Sequence, residues 1–519
     1  MKIKIIVTSI FVSIILVSCA PAAIVVPTET AIPTSIITTI PPTPTITPTP
    51  APENIANSKD LSIWVDEFIH AYDGTVVIND VEMDANKLTV ELRENGDKYI
   101  ESKKINGAEI LFLVVNEIPL AMREENGQWQ EVTMAKLSEM SGIVFEFSPR
   151  IPPNKVSQYT TVLRKVAGRN SRFTLEVDTC LTYNDFTPSQ WKEIVDNWDG
   201  IRKNLDDGQV PKGYPYQWQE YSLINFLKEN IENPQFRGHH LVEGRLDYCL
   251  LAESIINLWE NENFNQAEML KVLEFVVRTR VIEYDEISNW DVQDEMIASD
   301  VLWTVGGNNR YRFWLNATGK TPVELTFLVA DWVKKDNPSA KTYICEHDIF
   351  NFSNPMGQWL RDAFEPYIRE VAEKNIGENG IKRIDGFIEQ NNLSIHYPLD
   401  VSQVESTIDL YNTWGLEIGG SETMVFIDEQ SIQDSLPLKN VPLIPVENRK
   451  QAQAQMYYDL LSLYLNKGIR VFGFGGIDDY TAWTNDVGLL DTEPLLFDDD
   501  FRAKPAYYSI IKVLYEQLP

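Results

Sequence analysis

The chain is 519 residues long, and 76 acidic against 45 basic residues give it a formal net charge of −31 at pH 7. That balance excludes nucleic-acid binding, which needs basic surface, and suits neutral substrates or simple solubility. Beyond Cys19 only Cys180, Cys249 and Cys345 remain, an odd count that is no disulfide framework. The five histidines are scattered without paired spacing, so neither a metal nor a cofactor is expected.

Lys2 and Lys4 make a positive start, and Ile5 to Val17 is an apolar run shorter than the roughly 20 residues that a bilayer span needs. It ends in Leu16-Val17-Ser18-Cys19, which resembles a bacterial lipobox; the alternative is an ordinary signal peptide with a chance cysteine. Residues 1–19 therefore read as a lipoprotein signal. Cys19 is expected to be acylated, anchoring the chain outside the cytoplasm, on the bacterial cell membrane, through buried methylenes worth about 0.8 kcal/mol each. Residues 20–54 form a Pro/Thr-rich tether. Its Pro-Thr repeats cannot build a core and favour extended polyproline II.

Residues 55–138 read as a small β-rich module. Lys87–Arg93 alternates polar and apolar residues, Ile110–Val115 is a buried-strand run, and Asn126-Gly127 is a type I′ hairpin turn. The module is either an accessory sugar-binding domain or a packing spacer. From 139 to 519, eight β-like runs alternate with helical ones: Ile143–Phe147, Phe173–Asp178, Phe236–Val242, Ser288–Val292, Thr342–Cys345, Ile384–Ile388, Leu416–Ser421 and Ile469–Phe474. This pattern predicts an α/β fold, a (β/α)8 TIM barrel. Thr321-Pro322-Val323-Glu324 is a capping box. Ala452, Met456, Leu460 and Leu463 form one helical core stripe, and Leu251, Ile255, Leu258 and Trp259 another.

Several segments resemble glycoside hydrolase family 10, in the family's order. Arg237-Gly238-His239-His240-Leu241-Val242 is similar to its Arg-Gly-His-Thr-Leu-Val, and Trp290-Asp291-Val292-Gln293-Asp294-Glu295 to its Trp-Asp-Val-Val-Asn-Glu. Ser339–Ile344 resembles the fifth-strand entry, and Ile384-Asp385-Gly386 with Gln390 the sixth strand. Gly415–Glu422 resembles the family's Gly-Leu-Pro-Val-His-Ile-Thr-Glu. Pro494–Asp498 and Lys504–Tyr508 are close to its C-terminal signature. The resemblance implies a retaining endo-1,4-β-xylanase-like enzyme with Glu295 as acid/base and Glu422 as nucleophile. Such chemistry needs two carboxyls about 5–5.5 Å apart, and both residues follow candidate strands, at the end of a barrel where active sites collect. It also implies sugar contacts from His239, Asp294, Gln390, Asn392, Asp479 and Trp483, while Trp290 reads as core.

The departures are specific. Asp294 stands for the family's Asn, Asn392 for its sixth-strand His, and Gly475 for its eighth-strand Trp; Glu243-Gly244 replace Trp-His. The second-strand sugar clamp is not recognisable, with Asp178 and Thr179 in its neighbourhood. Gly244, Gly475 and Gly419-Gly420 replace bulkier residues and predict a roomier central subsite. Two readings follow: a membrane-anchored, monomeric hydrolase of polysaccharide such as xylan, or a catalytically impaired barrel that captures glycans at the cell surface. Labelling with a radioactive fatty acid checks the anchor. Label and membrane fractionation should both be lost in Cys19→Ala, and a variant that keeps them contradicts the lipobox reading.

Overall fold

A computed structural model describes residues 75–78, 81–84, 101–105, 108–115, 118–125, 128–176, 182–218, 220–242, 252–298, 312–377, 380–428, 446–485 and 492–517. The lipobox, the tether, the Lys87–Arg93 run, Asp178, Thr179, Glu243 and Gly244 lie outside them.

The β-rich region is one sheet in the order β2-β1-β6-β5-β4-β3. Its strands are β1 (Thr75–Ile78), β2 (Val81–Asp84), β3 (Glu101–Ile105), β4 (Ala108–Val115), β5 (Ile118–Glu125) and β6 (Gln128–Glu131). Glu125 pairs antiparallel with Gln128 across the Asn126-Gly127 connection, the register a two-residue hairpin requires. Thr133 then caps a helix, Met134–Ser141, and Gly142 ends it in the left-handed region at φ +69°. Met134 and Leu137 are fully buried, and Met134 N donates to Tyr507 Oη at 3.4 Å. Ile110 and Ala121 of the sheet join the same apolar core as the barrel. The expected boundary at 138/139 thus falls inside a helix, and residues 58–519 make one compact unit.

Eight parallel strands close in the order β10-β11-β12-β13-β14-β7-β8-β9. They are β7 (Val144–Phe147), β8 (Arg172–Glu176), β9 (Gln235–His239), β10 (Asn289–Asp294), β11 (Lys341–His347), β12 (Gly386–Ser394), β13 (Glu417–Phe426) and β14 (Val471–Phe474). Each of the eight expected runs overlaps one of them. Alternation along the strands separates two environments. Phe145, Phe147 and Phe474 join the large apolar core, with Phe147 and Phe474 stacked at 5.5 Å. Between them on β7, Glu146 contacts Thr174 and Arg237 of the next two strands, so this part of the barrel interior is polar. Gly238 lets β9 lie against β10: a Cβ there would come within 2.3 Å of the Trp290 ring, which is fully buried in the core.

The helices form as their patterns dictate. Thr321 N donates to Glu324 Oε2 at 3.0 Å and Glu324 N to Thr321 Oγ1 at 3.3 Å, starting the helix Pro322–Asp336. Met456, Leu460 and Leu463 are buried along Arg449–Asn466, and Ile255 and Leu258 along Glu253–Glu260.

Candidate active site

Irregular pairing and left-handed backbone aim the two expected catalytic carboxyls. The register of β12 against β13 shifts between Gln390 and Asn392, and that of β13 against β14 between Gly420 and Thr423. Glu422 sits in this irregularity with φ +48°, and Glu295, just past β10, has φ +46°. Such a backbone costs a non-glycine residue on the order of 1–3 kcal/mol and persists only where its surroundings over-determine it. Here they do. Glu295 N donates to Cys345 O at 3.1 Å, and Glu346 Oε2 accepts from Ile297 N at 3.0 Å and Ala298 N at 3.1 Å. Beside Glu422, Thr423 accepts at Oγ1 from Asn391 Nδ2 (3.1 Å) and at its carbonyl from Tyr457 Oη (3.3 Å).

A polar chain leads to Glu422 from inside the barrel. Arg237 is fully buried and meets Glu146 Oε1 through Nη2 at 2.7 Å, Thr174 Oγ1, and Asp291 Oδ2. Asp291 Oδ2 also faces His239 Nδ1 at 2.7 Å, and His239 Nε2 lies 3.2 Å from Glu422 Oε1. Gln390 Nε2 donates to Asp294 Oδ1 at 3.1 Å and to Glu422 Oε1 at 3.3 Å.

The charges follow from this packing. Burial opposes an imidazolium at His239, but Asp294, Glu422 and Asp291 outweigh it and push the pKa up to about 10. His347, at the end of β11 with Nδ1 2.9 Å from Asp348 Oδ2, is likewise pushed up to about 10 against burial by Glu295, Asp348 and Glu346. Burial, with the Glu295 and Glu176 carboxylates, moves Glu422 above the usual range, while His239 and Arg237 pull it down. The raised pKa of His239 favours a proton on Nε2, directed at Glu422 Oε1. Burial also raises the Glu346 carboxyl to about 7.

Of the expected site residues, His239, Asp294, Gln390 and Glu422 are brought into one hydrogen-bonded group. Glu295 is close enough for its charge to act on Glu422 and His347. Asn392 lies two residues past Gln390 on β12, half-buried, and its buried Oδ1 has no hydrogen-bond partner. Trp483 is half-buried against Met424, Phe426, Ala482 and Leu495. Asp479 differs from the expectation of a sugar contact. It is buried, and both oxygens are committed internally: Oδ1 accepts from Leu495 N at 2.7 Å and Oδ2 pairs with Lys504 Nζ at 2.7 Å. It thereby ties the loop after β14 to the C-terminal signature. The roomier subsite is not found at the glycines described. A Cβ on Gly475 would lie 2.9 Å from Met424 Cγ, one on Gly419 2.8 Å from Ile388 Cδ1, and one on Gly420 2.6 Å from the Tyr464 ring. Neighbouring side chains have refilled the space.

Sequence reasoning did not single out Asp291, Arg237, Glu146, His240, Glu346 or His347. The run Cys345-Glu346-His347-Asp348 at the end of β11 was a usable signal, because polar residues in sequence at a C-terminal strand end face a barrel mouth. The adjacent pair His239-His240 also meets acidic residues of the next strand. Among the described residues, His239, His240 and Asp294 place one ligand atom each within 4.8 Å of one another, as do His239, Asp291 and Cys345.

The family model described as Glycosyl hydrolase family 10 matches residues 196–513, which include Glu295 and Glu422. The chain belongs to this family. Among its relatives, a thermostable celloxylanase of Thermoclostridium stercorarium is 27% identical over 312 residues, spanning 57% of this chain and 73% of its own. Endo-1,4-beta-xylanase A of Halalkalibacterium halodurans is 28% identical over 261 residues, 48% of this chain and 59% of its own. The crystal structure of xylanase 10B from Thermotoga petrophila in complex with xylobiose shares the fold. Its TM-score is 0.52 at 20% identity, covering 75% of this chain and 99% of that one.

The raised pKa values of His239 and His347 have a measurable sign in this family 10 barrel. An imidazole free in the unfolded chain titrates near 6.5. Raised folded values mean that the stability His239 and His347 contribute is fully present below about pH 6.5 and lost as pH rises toward about 10. In NMR of histidine-labelled protein, with His239→Asn and His347→Asn assigning the signals, both rings should remain protonated at about pH 8. Two rings that titrate near 6.5 contradict the assignment of charge.

Proposed function

We propose that this family 10 glycosyl hydrolase cleaves β-1,4-linked polysaccharide, xylan first, by double displacement with retention of configuration. The observation that carries the reading is the placing of two glutamates on left-handed backbone, Glu295 just past β10 and Glu422 within β13, the latter accepting from the buried His239 imidazole. In the first step Glu295 gives its proton to the leaving glycosidic oxygen while the Glu422 carboxylate attacks the anomeric carbon. His239 and Gln390 hold Glu422 Oε1 in place through 3.2 and 3.3 Å contacts. In the second step Glu295, now a base, takes a proton from water as the water oxygen bonds to the anomeric carbon, which breaks the ester and frees the Glu422 carboxylate. His347 beside Glu295 stabilises the anion formed between the two steps.

The glycan-capturing alternative draws on Asn392 and on Met424 beside Gly475, where the family's His and Trp are replaced. One experiment decides between the readings. Reducing-sugar release from xylan should be abolished in Glu422→Ala, and added azide should restore bond cleavage, read as formation of an inverted glycosyl azide. Glu295→Ala should keep the first step on substrates with good leaving groups, and azide should then give a retained product. No release from any β-glycan by the unaltered chain supports capture, and swapped azide products overturn the residue roles.

A further inference from the structure

Two replacements of family residues meet at one place. His240 stands where the resembled motif has Thr, and Asp294 where it has Asn. In the fold His240 Nδ1 lies 3.5 Å from Asp294 Oδ2, and His239 Nε2 lies 3.8 Å from the same oxygen. The two imidazole rings stand nearly perpendicular, with centroids 4.8 Å apart. Two nitrogens and a carboxylate oxygen thus converge from neighbouring strands.

We propose that His239, His240 and Asp294 form a site for a divalent transition-metal ion of the zinc type. The spacing fits. With metal–ligand bonds of about 2.0–2.1 Å, the edge between two ligands of a tetrahedral ion is about 3.3–3.4 Å. The contacts to Asp294 need to close by only a few tenths of an ångström. The donor set fits as well, because two imidazoles and one carboxylate favour zinc, nickel or copper over magnesium or calcium. The surrounding shell supports it. A ligating His is ordinarily fixed by a hydrogen bond from its other nitrogen, and His239 Nδ1 already has Asp291 Oδ2 at 2.7 Å. Gln390 Nε2 likewise orients the carboxylate of Asp294 through Oδ1. The overlapping group of His239, Asp291 and Cys345 is a poorer site, because Asp291 Oδ2 is already paired with the Arg237 cation.

Ligation occupies His239 Nε2, the nitrogen that faces Glu422 Oε1 at 3.2 Å. A bound ion therefore removes the donor from Glu422 and stands beside it, so metal and sugar exclude one another. This last point rests on the hydrolase reading, whereas binding itself does not.

Calorimetric titration of Zn2+ into the full chain, with Mg2+ as control, tests binding without reference to activity. One Zn2+ per chain is expected, with Mg2+ silent. His240→Thr and Asp294→Asn should each weaken binding at least ~10-fold, the lower bound seen even for groups that only support a ligand, and Cys345→Ser should leave it unchanged. Asp294→Asn is nearly isosteric and retains an oxygen for Gln390, so it remains informative should His240→Thr fail to fold. Absence of Zn2+ binding overturns the proposal. So does binding that survives both variants, or binding that depends on Cys345.

Discussion

Arg237 is fully buried inside the barrel, and a guanidinium cannot neutralise itself by losing a proton at any pH the protein meets. Its charge must be met where it stands. Glu146 of β7 and Asp291 of β10 do so across the interior, with Thr174 of β8 adding a hydroxyl. Breaking such a buried pair by removing one partner ordinarily costs about 3–5 kcal/mol, because the other charge is left unpaired. This polar centre sets the orientation of everything above it. Asp291 is fixed by Arg237, His239 is fixed by Asp291, and Glu422 receives its hydrogen bond from His239. A residue with no part in bond making thus determines where the nucleophile's donor points.

At the mouth, backbone strain and electrostatics act on the same two residues. Glu295 and Glu422 both adopt left-handed backbone, and hydrogen bonds to Ile297 and Ala298 beside the first and to Thr423 beside the second hold the chain there. His239 and Gln390 fix the direction of the Glu422 carboxyl through Oε1. Each also has its own imidazolium, His239 for Glu422 and His347 for Glu295. Two acids that repel one another are thereby kept together in a buried site. Asp294 adds a negative charge that the family's Asn lacks, and His239, His240 and Gln390 gather around it.

Much of this was legible in the chain. The barrel strands show because each is a short apolar or alternating run bounded by helix signals, and the capping box at Thr321 marks its helix without ambiguity. The carboxyl pair was legible through motif order, since Glu295 and Glu422 each close a run that resembles a family 10 strand. The interior charges were not. Glu146, Arg237 and Asp291 lie on three strands far apart in sequence, and only the barrel's closure makes them one group. Asp479 resembled a site residue because its motif is near the mouth, but its oxygens are claimed by Leu495 and Lys504, and Lys504 lies 25 residues further on. Gly475 read as a vacancy because a sequence shows the lost indole and not the Met424 side chain that fills its place.

The central claim is that the chain from Arg237 through Asp291 and His239 holds Glu422 as the attacking anion. Trapping the unaltered protein with a 2-deoxy-2-fluoro-xylobioside carrying a good leaving group, followed by peptide mass spectrometry, tests it directly. The fluorine slows release of the sugar more than its capture, so a glycosyl ester accumulates on the nucleophile. The ester is expected on Glu422, with slower trapping in Asp291→Asn. An ester on Glu295 or on any other carboxylate contradicts the claim.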